Sequence, residues 1–187
     1  MFILASILSS TATVYCICIY MKKEMIPEFR KSKIQQAIIT YTYTIANHVV
    51  IYNYSKNFIQ NNPTNLINIL KYVFILEFFF YVFHRISHSF IYWTHAYHHL
   101  NIHLFPIDFL QVSYVDILME DISMNLPLYI VPLNYMEYGI IYYVYMTGGY
   151  LVHSDILTDY HQKHHKYMKY NFCLLIPIYD YIFKTMK

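Results

Sequence analysis

Glu77-Phe-Phe-Phe-Tyr81-Val-Phe-His84-Arg85-Ile-Ser-His88 is the stretch that decides how this 187-residue chain folds. It closes an apolar run beginning at Leu66. Positions 77, 81, 84 and 88 step by four, three and four residues, which is the spacing of one helix stripe. Imidazoles at i and i+4 stand on one face of a helix, close enough to share a metal ion. An ionised Glu inside such a run costs roughly 2.5–3.5 kcal/mol on membrane-insertion scales, so Glu77 is expected to have a task. The task that fits is accepting the outward N–H of a ligating imidazole. Pairing with Lys71 is the plainer alternative, but six residues of helix put those two side chains on different faces.

Two further boxes follow, His95-Ala-Tyr-His98-His99 and His161-Gln-Lys-His164-His165. Together the three boxes hold eight of the eleven histidines in 15 of 187 positions, where even scatter would leave about one. Eight imidazoles are too many for a single ion and suit two. Imidazole takes iron, zinc and copper alike, so the spacing predicts a two-metal site without naming the metal.

Composition supplies the setting. The chain is 57% hydrophobic and 13% charged, well under the roughly 25% charged residues of a soluble domain. Phe2 to Met21 is a charge-free run of 20 residues, long enough to cross a bilayer core as a helix. A cleavable signal peptide would need a basic leader and a small-residue cleavage site, and neither is present. Lys22, Lys23, Arg30, Lys31 and Lys33 then form a basic loop, which the positive-inside rule assigns to the cytoplasm. Ile34 to Tyr54 is a second expected span and Leu66 to Phe83 a third, divided by the turn Asn61-Asn62-Pro63-Thr64-Asn65. Leu126 to Val152 is apolar but broken by Pro127, Pro132, Asn134 and Gly139. Boxes one and two precede that segment and box three follows it, so it must cross twice or not at all. A hairpin turning between Pro132 and Gly139 meets the condition. The expected fold is therefore all-α, an integral membrane helical bundle with a histidine-box metal site on its cytoplasmic face. Residues 1–65 would be anchor spans and basic loop, and residues 66–187 the catalytic domain. Cys16, Cys18 and Cys173 make no disulfide framework, and a net charge of +2 without another basic run gives no support to nucleic-acid binding.

With these motifs in place, the chain resembles the fatty acid hydroxylase/sterol desaturase superfamily over about residues 77 to 185. Glu77, Tyr81, His84, Arg85 and His88 match its first box with the acid and Tyr that precede it. Sterol C-5 desaturases look closest: Pro106 follows His99 at their spacing, and Ser113-Tyr-Val-Asp116 occupies the place of their HPxD element. His153-Ser-Asp155 is similar to their isolated histidine, while Tyr170-Asn-Phe-Cys173 and Tyr179-Asp180-Tyr181 stand for YNYG and WDR. The departures are Ser113 for His, Cys173 for Gly, and Tyr179 and Tyr181 for Trp and Arg.

The resemblance implies two iron ions held by His84, His88, His95, His98, His99, His161, His164 and His165, with His153 as a further ligand. Glu77, Asp116 and Asp180 become orienting carboxylates of the catalytic site. It also implies O2 as co-substrate, a membrane lipid or sterol as substrate, and a cytochrome b5-like electron donor. In a eukaryotic host the location would be the endoplasmic reticulum. The expected activity is a sterol C-5-type desaturase. Its alternatives are a fatty-acyl or sphingolipid hydroxylase of the same superfamily, a zinc-dependent membrane metalloenzyme, or a catalytically degenerate relative. His48, alone in the second span, is expected to be an interior or interfacial histidine, and His103 either an outer partner of the metal ligands or a bystander.

Overall fold

The computed structural model describes residues 2–187, with the side chains of residues 2, 3, 30, 32, 33 and 55 excepted. Arg30 and Lys33, two cations of the basic loop, therefore lie outside the described side chains. The described residues form helices and no strand: α1 (Phe2–Met21), α2 (Ile34–Ser55), α3 (Leu66–Ser89), α4 (Tyr92–His95), α5 (Tyr114–Asn125), α6 (Tyr135–Val152), α7 (Tyr160–Tyr167) and α8 (Ile178–Ile182). Short 3-10 turns join them, among them His98–Leu100, Pro106–Leu110 and Leu126–Tyr129.

The helix starts follow from local chemistry. Asn65 caps α3 by accepting from the backbone N–H groups of Ile67 and Asn68. At α6, Asn134 and Glu137 form a reciprocal capping box at 2.8 and 2.9 Å. Glu137 also accepts from the N–H of Asn65 at 2.5 Å, while Gln60 N–H donates to Leu133 at 2.9 Å. These contacts bring the turn at 60–65 and the turn at 132–137 together at one end of the bundle. The basic loop lies at the other end, where Lys23 pairs with Asp155 at 2.6 Å and the N–H of Ile107 meets the Met25 carbonyl at 3.3 Å.

Helix α1 packs along α6, with Ser6 and Ser10 donating to the carbonyls of Gly139 and Tyr143 at 3.1 and 3.2 Å. Helix α5 is covered by α2 and α3. The main core joins Tyr72 and Leu76 of α3, Met124 of α5, and Tyr138, Tyr142 and Tyr145 of α6. Gly149 permits a close approach of α6 to the Pro106–Leu110 turn, because a Cβ there would lie 2.5 Å from the Phe109 ring. The outward faces of α1 and α3 carry exposed Leu4, Leu8, Ile19, Leu70, Phe74 and Phe78, an arrangement suited to lipid rather than water.

Two expectations change. The hairpin exists, but its outgoing limb is α5, and Leu126–Tyr129 is already the turn. Asp116, Glu120 and Asp121 diluted α5 below an apolar reading, yet Asp116 and Asp121 are buried inside the bundle. Second, α2 forms over its expected length, but among the described residues only α1 and α3 are long and apolar enough to cross a membrane. The Thr, Gln and Asn content of α2 explains the shortfall.

Candidate metal centre

At the basic-loop end, nine histidines converge from five elements. Helix α3 carries His84 and His88, α4 carries His95, the following 3-10 turn carries His98 and His99, His153 caps α6, and α7 carries His161, His164 and His165. All except His88 are buried, and His88 is partly so. They sort into two sets whose ring nitrogens lie within 4.8 Å of one another: His84, His88, His95, His99 and His164; and His98, His153, His161 and His165.

The sorting follows the spacing in a way the boxes alone do not reveal. Each i,i+4 pair (84/88, 95/99, 161/165) stays within one set, whereas the i,i+3 pairs 95/98 and 161/164 are divided between the two. Rings at i,i+3 spacing therefore do not share a set. Box two also departs from a continuous helix, since α4 ends at His95 and a separate 3-10 turn carries His98 and His99. Within that turn the rings of His98 and His99 stand at 90° to each other.

Ring orientation decides what the sets can bind. His84 Nδ1 lies 2.7 Å from the Phe172 carbonyl and His98 Nδ1 3.2 Å from that of Gln111. His153, His164 and His165 reach the carbonyls of Gly149, Tyr170 and Asn101 at 2.6, 2.7 and 3.0 Å. A carbonyl has no proton to give, so in each case Nδ1 donates and Nε2 keeps its lone pair. The Nε2 atoms of His153 and His165 nevertheless each approach that of His98 to 3.1 Å. These are two acceptors facing each other, and no hydrogen bond can form. A cation between them resolves the repulsion. Nε2 of His84 and of His95, and both ring nitrogens of His161, have no protein partner although buried, which fits the same conclusion. Burial, reinforced by the neighbouring rings, holds His161, His164 and His165 well below the usual imidazole range. Burial likewise pushes His98 down to about 4, against the opposing pull of the Gln111 carbonyl. Neutral imidazoles with inward lone pairs and anchored outer nitrogens are a metal-ligand set.

The three carboxylates act differently from one another. Asp116 accepts from His95 Nδ1 at 3.0 Å, the role expected of it. Glu77 touches no imidazole. It accepts from the backbone N–H groups of Leu174, Leu175 and Ile176 at 3.0–3.2 Å and from the Tyr145 hydroxyl at 2.9 Å. Asp180 accepts from the N–H groups of Phe172 and Cys173 at 2.9 and 2.7 Å, from Thr185, and from the Tyr160 hydroxyl. Both therefore hold the segment 172–176, whose Phe172 carbonyl orients His84; they position a ligand at one remove. Left-handed φ values of 60° at Met168 and at Asn171 turn the chain from α7 into this segment.

Ser113 is the N-cap of α5, accepting from the Asp116 N–H at 3.1 Å, so it secures the helix carrying Asp116. Cys173 is buried against Tyr81, Phe172 and Tyr179. The sequence reading missed the polar latch behind box two: Gln111 donates to the Tyr97 carbonyl at 2.8 Å, and Asn101 donates to Gln111 and Asp108 at 2.9 and 3.2 Å. The signal available was three polar residues in an otherwise apolar stretch. His48 and the exposed His103 join neither set.

The fatty acid hydroxylase family model matches residues 69–185. The chain belongs to the fatty acid hydroxylase family. A very-long-chain aldehyde decarbonylase of Oryza sativa subsp. indica is 29% identical over 136 residues, covering 59% of this chain and 22% of that relative. The match thus spans about a fifth of the relative's length. No solved structure matches. With the two long apolar helices among the described residues, family membership points to a membrane protein.

Proposed function

We propose that this chain is a membrane-bound, O2-dependent di-iron oxidoreductase acting on an unactivated C–H bond of a lipid, most specifically as a sterol C-5-type desaturase. The observation that supports it best is the pair of convergent imidazole sets, in which His84, His95, His98, His153, His164 and His165 have outward-anchored Nδ1 atoms. His84, His88, His95, His99 and His164 would hold one iron, and His98, His153, His161 and His165 the other. Bound iron supplies the O2 activation that side chains cannot provide.

The chain's own residues supply the frame. Asp116 holds the outer nitrogen of His95 and fixes its tautomer. Glu77 and Asp180 hold the 172–176 segment, so the Phe172 carbonyl meets His84 at a set distance. Burial of the rings excludes water from around the ligands. The topology proposed is multi-pass, with the metal end and basic loop on the cytoplasmic side and the membrane that of the endoplasmic reticulum in a eukaryotic host. Electrons would then arrive from a cytochrome b5-like donor. The sterol reading is supported by the matches at Pro106, Tyr170-Asn171 and Asp180. A second reading, an acyl-chain or long-chain aldehyde substrate, is favoured by the rice relative.

Metal analysis of the purified chain with sterol and fatty-acid profiling of an expressing host tests the proposal. Iron with a new sterol double bond is the expected result. A hydroxylated or shortened acyl product moves the assignment to the second reading, and zinc without any lipid product overturns both.

A further inference from the structure

Behind the metal centre, α2, α3, α5 and α6 enclose a cavity whose wall includes Thr44, Phe80, Asp121, Met124, Tyr142 and Met146. A second cavity, lined by His84, His95, Asp116 and Met119, adjoins it, with Phe80 and Glu120 common to both walls. Asp121 is 4% exposed. Its Oδ2 has no close hydrogen-bond partner, its Oδ1 has long contacts of 3.5 Å to the Tyr142 hydroxyl and 3.6 Å to His48 Nδ1, and the Asn47 side chain faces the same carboxylate. His48 Nδ1 also lacks a hydrogen bond and is buried. A buried carboxylate left short of donors in a mostly apolar chamber is costly, and a ligand that brings a donor removes the cost.

We propose that this cavity binds the hydroxyl group of a lipid alcohol, with Asp121 Oδ2 accepting the hydroxyl hydrogen. An alcohol matches both parts of the site: its O–H supplies the missing donor, and its hydrocarbon body suits Phe80, Met124 and Met146. An anionic headgroup does not, because among the described residues the cavity wall carries no Lys or Arg to pair with a buried charge. Asp121 lies five residues beyond Asp116 on α5, about 7.5 Å along the axis. A hydroxyl held there leaves carbons several bonds away to reach the His84–His95 cavity. That the bound alcohol is the substrate rests on the oxidoreductase reading; that it binds does not.

The test uses the full chain in detergent micelles with four diazirine-bearing probes: octadecanol, cholesterol, and their hydroxyl-free counterparts octadecane and cholestane. Labelled peptides are read by mass spectrometry, with iron content and helicity measured in parallel. At least one alcohol should label the α5 and α6 walls about tenfold more than its hydrocarbon, the worth of one buried hydrogen bond. Preference for octadecanol alone names a linear alcohol, and preference for cholesterol alone a sterol. Asp121→Leu should abolish the preference while hydrocarbon labelling and iron content persist; Asp121→Asn, which keeps an acceptor oxygen, should retain part of it. Equal labelling by alcohol and hydrocarbon in the wild type overturns the proposal, and so does a preference that survives Asp121→Leu. Should Asp121→Leu lose helicity, the wild-type comparison decides alone. A chain that prefers the alcohol but binds no iron would defeat the oxidoreductase reading and leave this one standing.

Discussion

His164 and His48 are both buried and both lie on helices, yet they are held in different ways. At His164, Nδ1 is tied to the Tyr170 carbonyl, and Nε2 lies 3.0 Å from that of His88 and 3.1 Å from that of His99. At His48, Nδ1 stands 3.6 Å from Asp121, Nε2 has a 3.4 Å contact with the Tyr138 hydroxyl, and the ring packs edge-on against Tyr142. No other imidazole shares that pocket among the described residues. Burial alone thus does not make a histidine a ligand. A fixed outer nitrogen and several inner lone pairs aimed at one point do.

The largest effect expected from this contrast is at His164 itself. Replacing either His164 or His98 by Ala should take iron from about two per chain to one or fewer. Product formation should fall by more than the roughly 10–100-fold typical of losing an outer hydrogen-bond partner. Mass-spectrometric metal analysis with product assay reads both, and unchanged iron in the two variants would break the comparison. Next, Glu77→Ala should lower thermal stability by at least about 6–12 °C, because three backbone N–H groups lose their acceptor at no less than about 1 kcal/mol each. A melting curve within 1–2 °C of wild type, a shift of well under about 1 kcal/mol, would show that the 172–176 segment is held by something else.

Asp116→Asn sharpens the picture further. It keeps the shape of the side chain but removes the charge that holds His95, so iron affinity should drop by about 10–100-fold, measured by chelator competition. Equal affinity would mean that the His95–Asp116 contact has no part in loading. Smallest of all on metal content is His48→Ala, which should leave iron at the wild-type level. A loss there comparable to that of His164→Ala would erase the distinction between the two regions.

How much of this was legible in the sequence differs by element. The boxes were legible because i,i+4 spacing concentrates imidazoles beyond chance, and the capped turns at Asn65 and Asn134 carry recognisable starts. The division of the ligands was not, because box spacing does not say which set each ring faces: the continuous helix α7 splits His161 from His164 just as the broken box two splits His95 from His98. Glu77 was singled out correctly as an unusual residue, but its partners lie about one hundred residues away, in a segment with no sequence mark of its own. Helix α5 was hidden by its own carboxylates, which dilute its apolar pattern although Asp116 and Asp121 are buried. Ser113 looked like a lost ligand position, whereas its neighbour in space is the backbone of the helix it caps.

Iron stoichiometry together with iron-edge X-ray absorption on the wild-type chain tests the central claim most directly. Two irons per chain, each with the scattering signature of several imidazoles, are the result predicted by two convergent sets of five and four histidines. A single iron per chain, or iron whose coordination shell lacks imidazole, would contradict it.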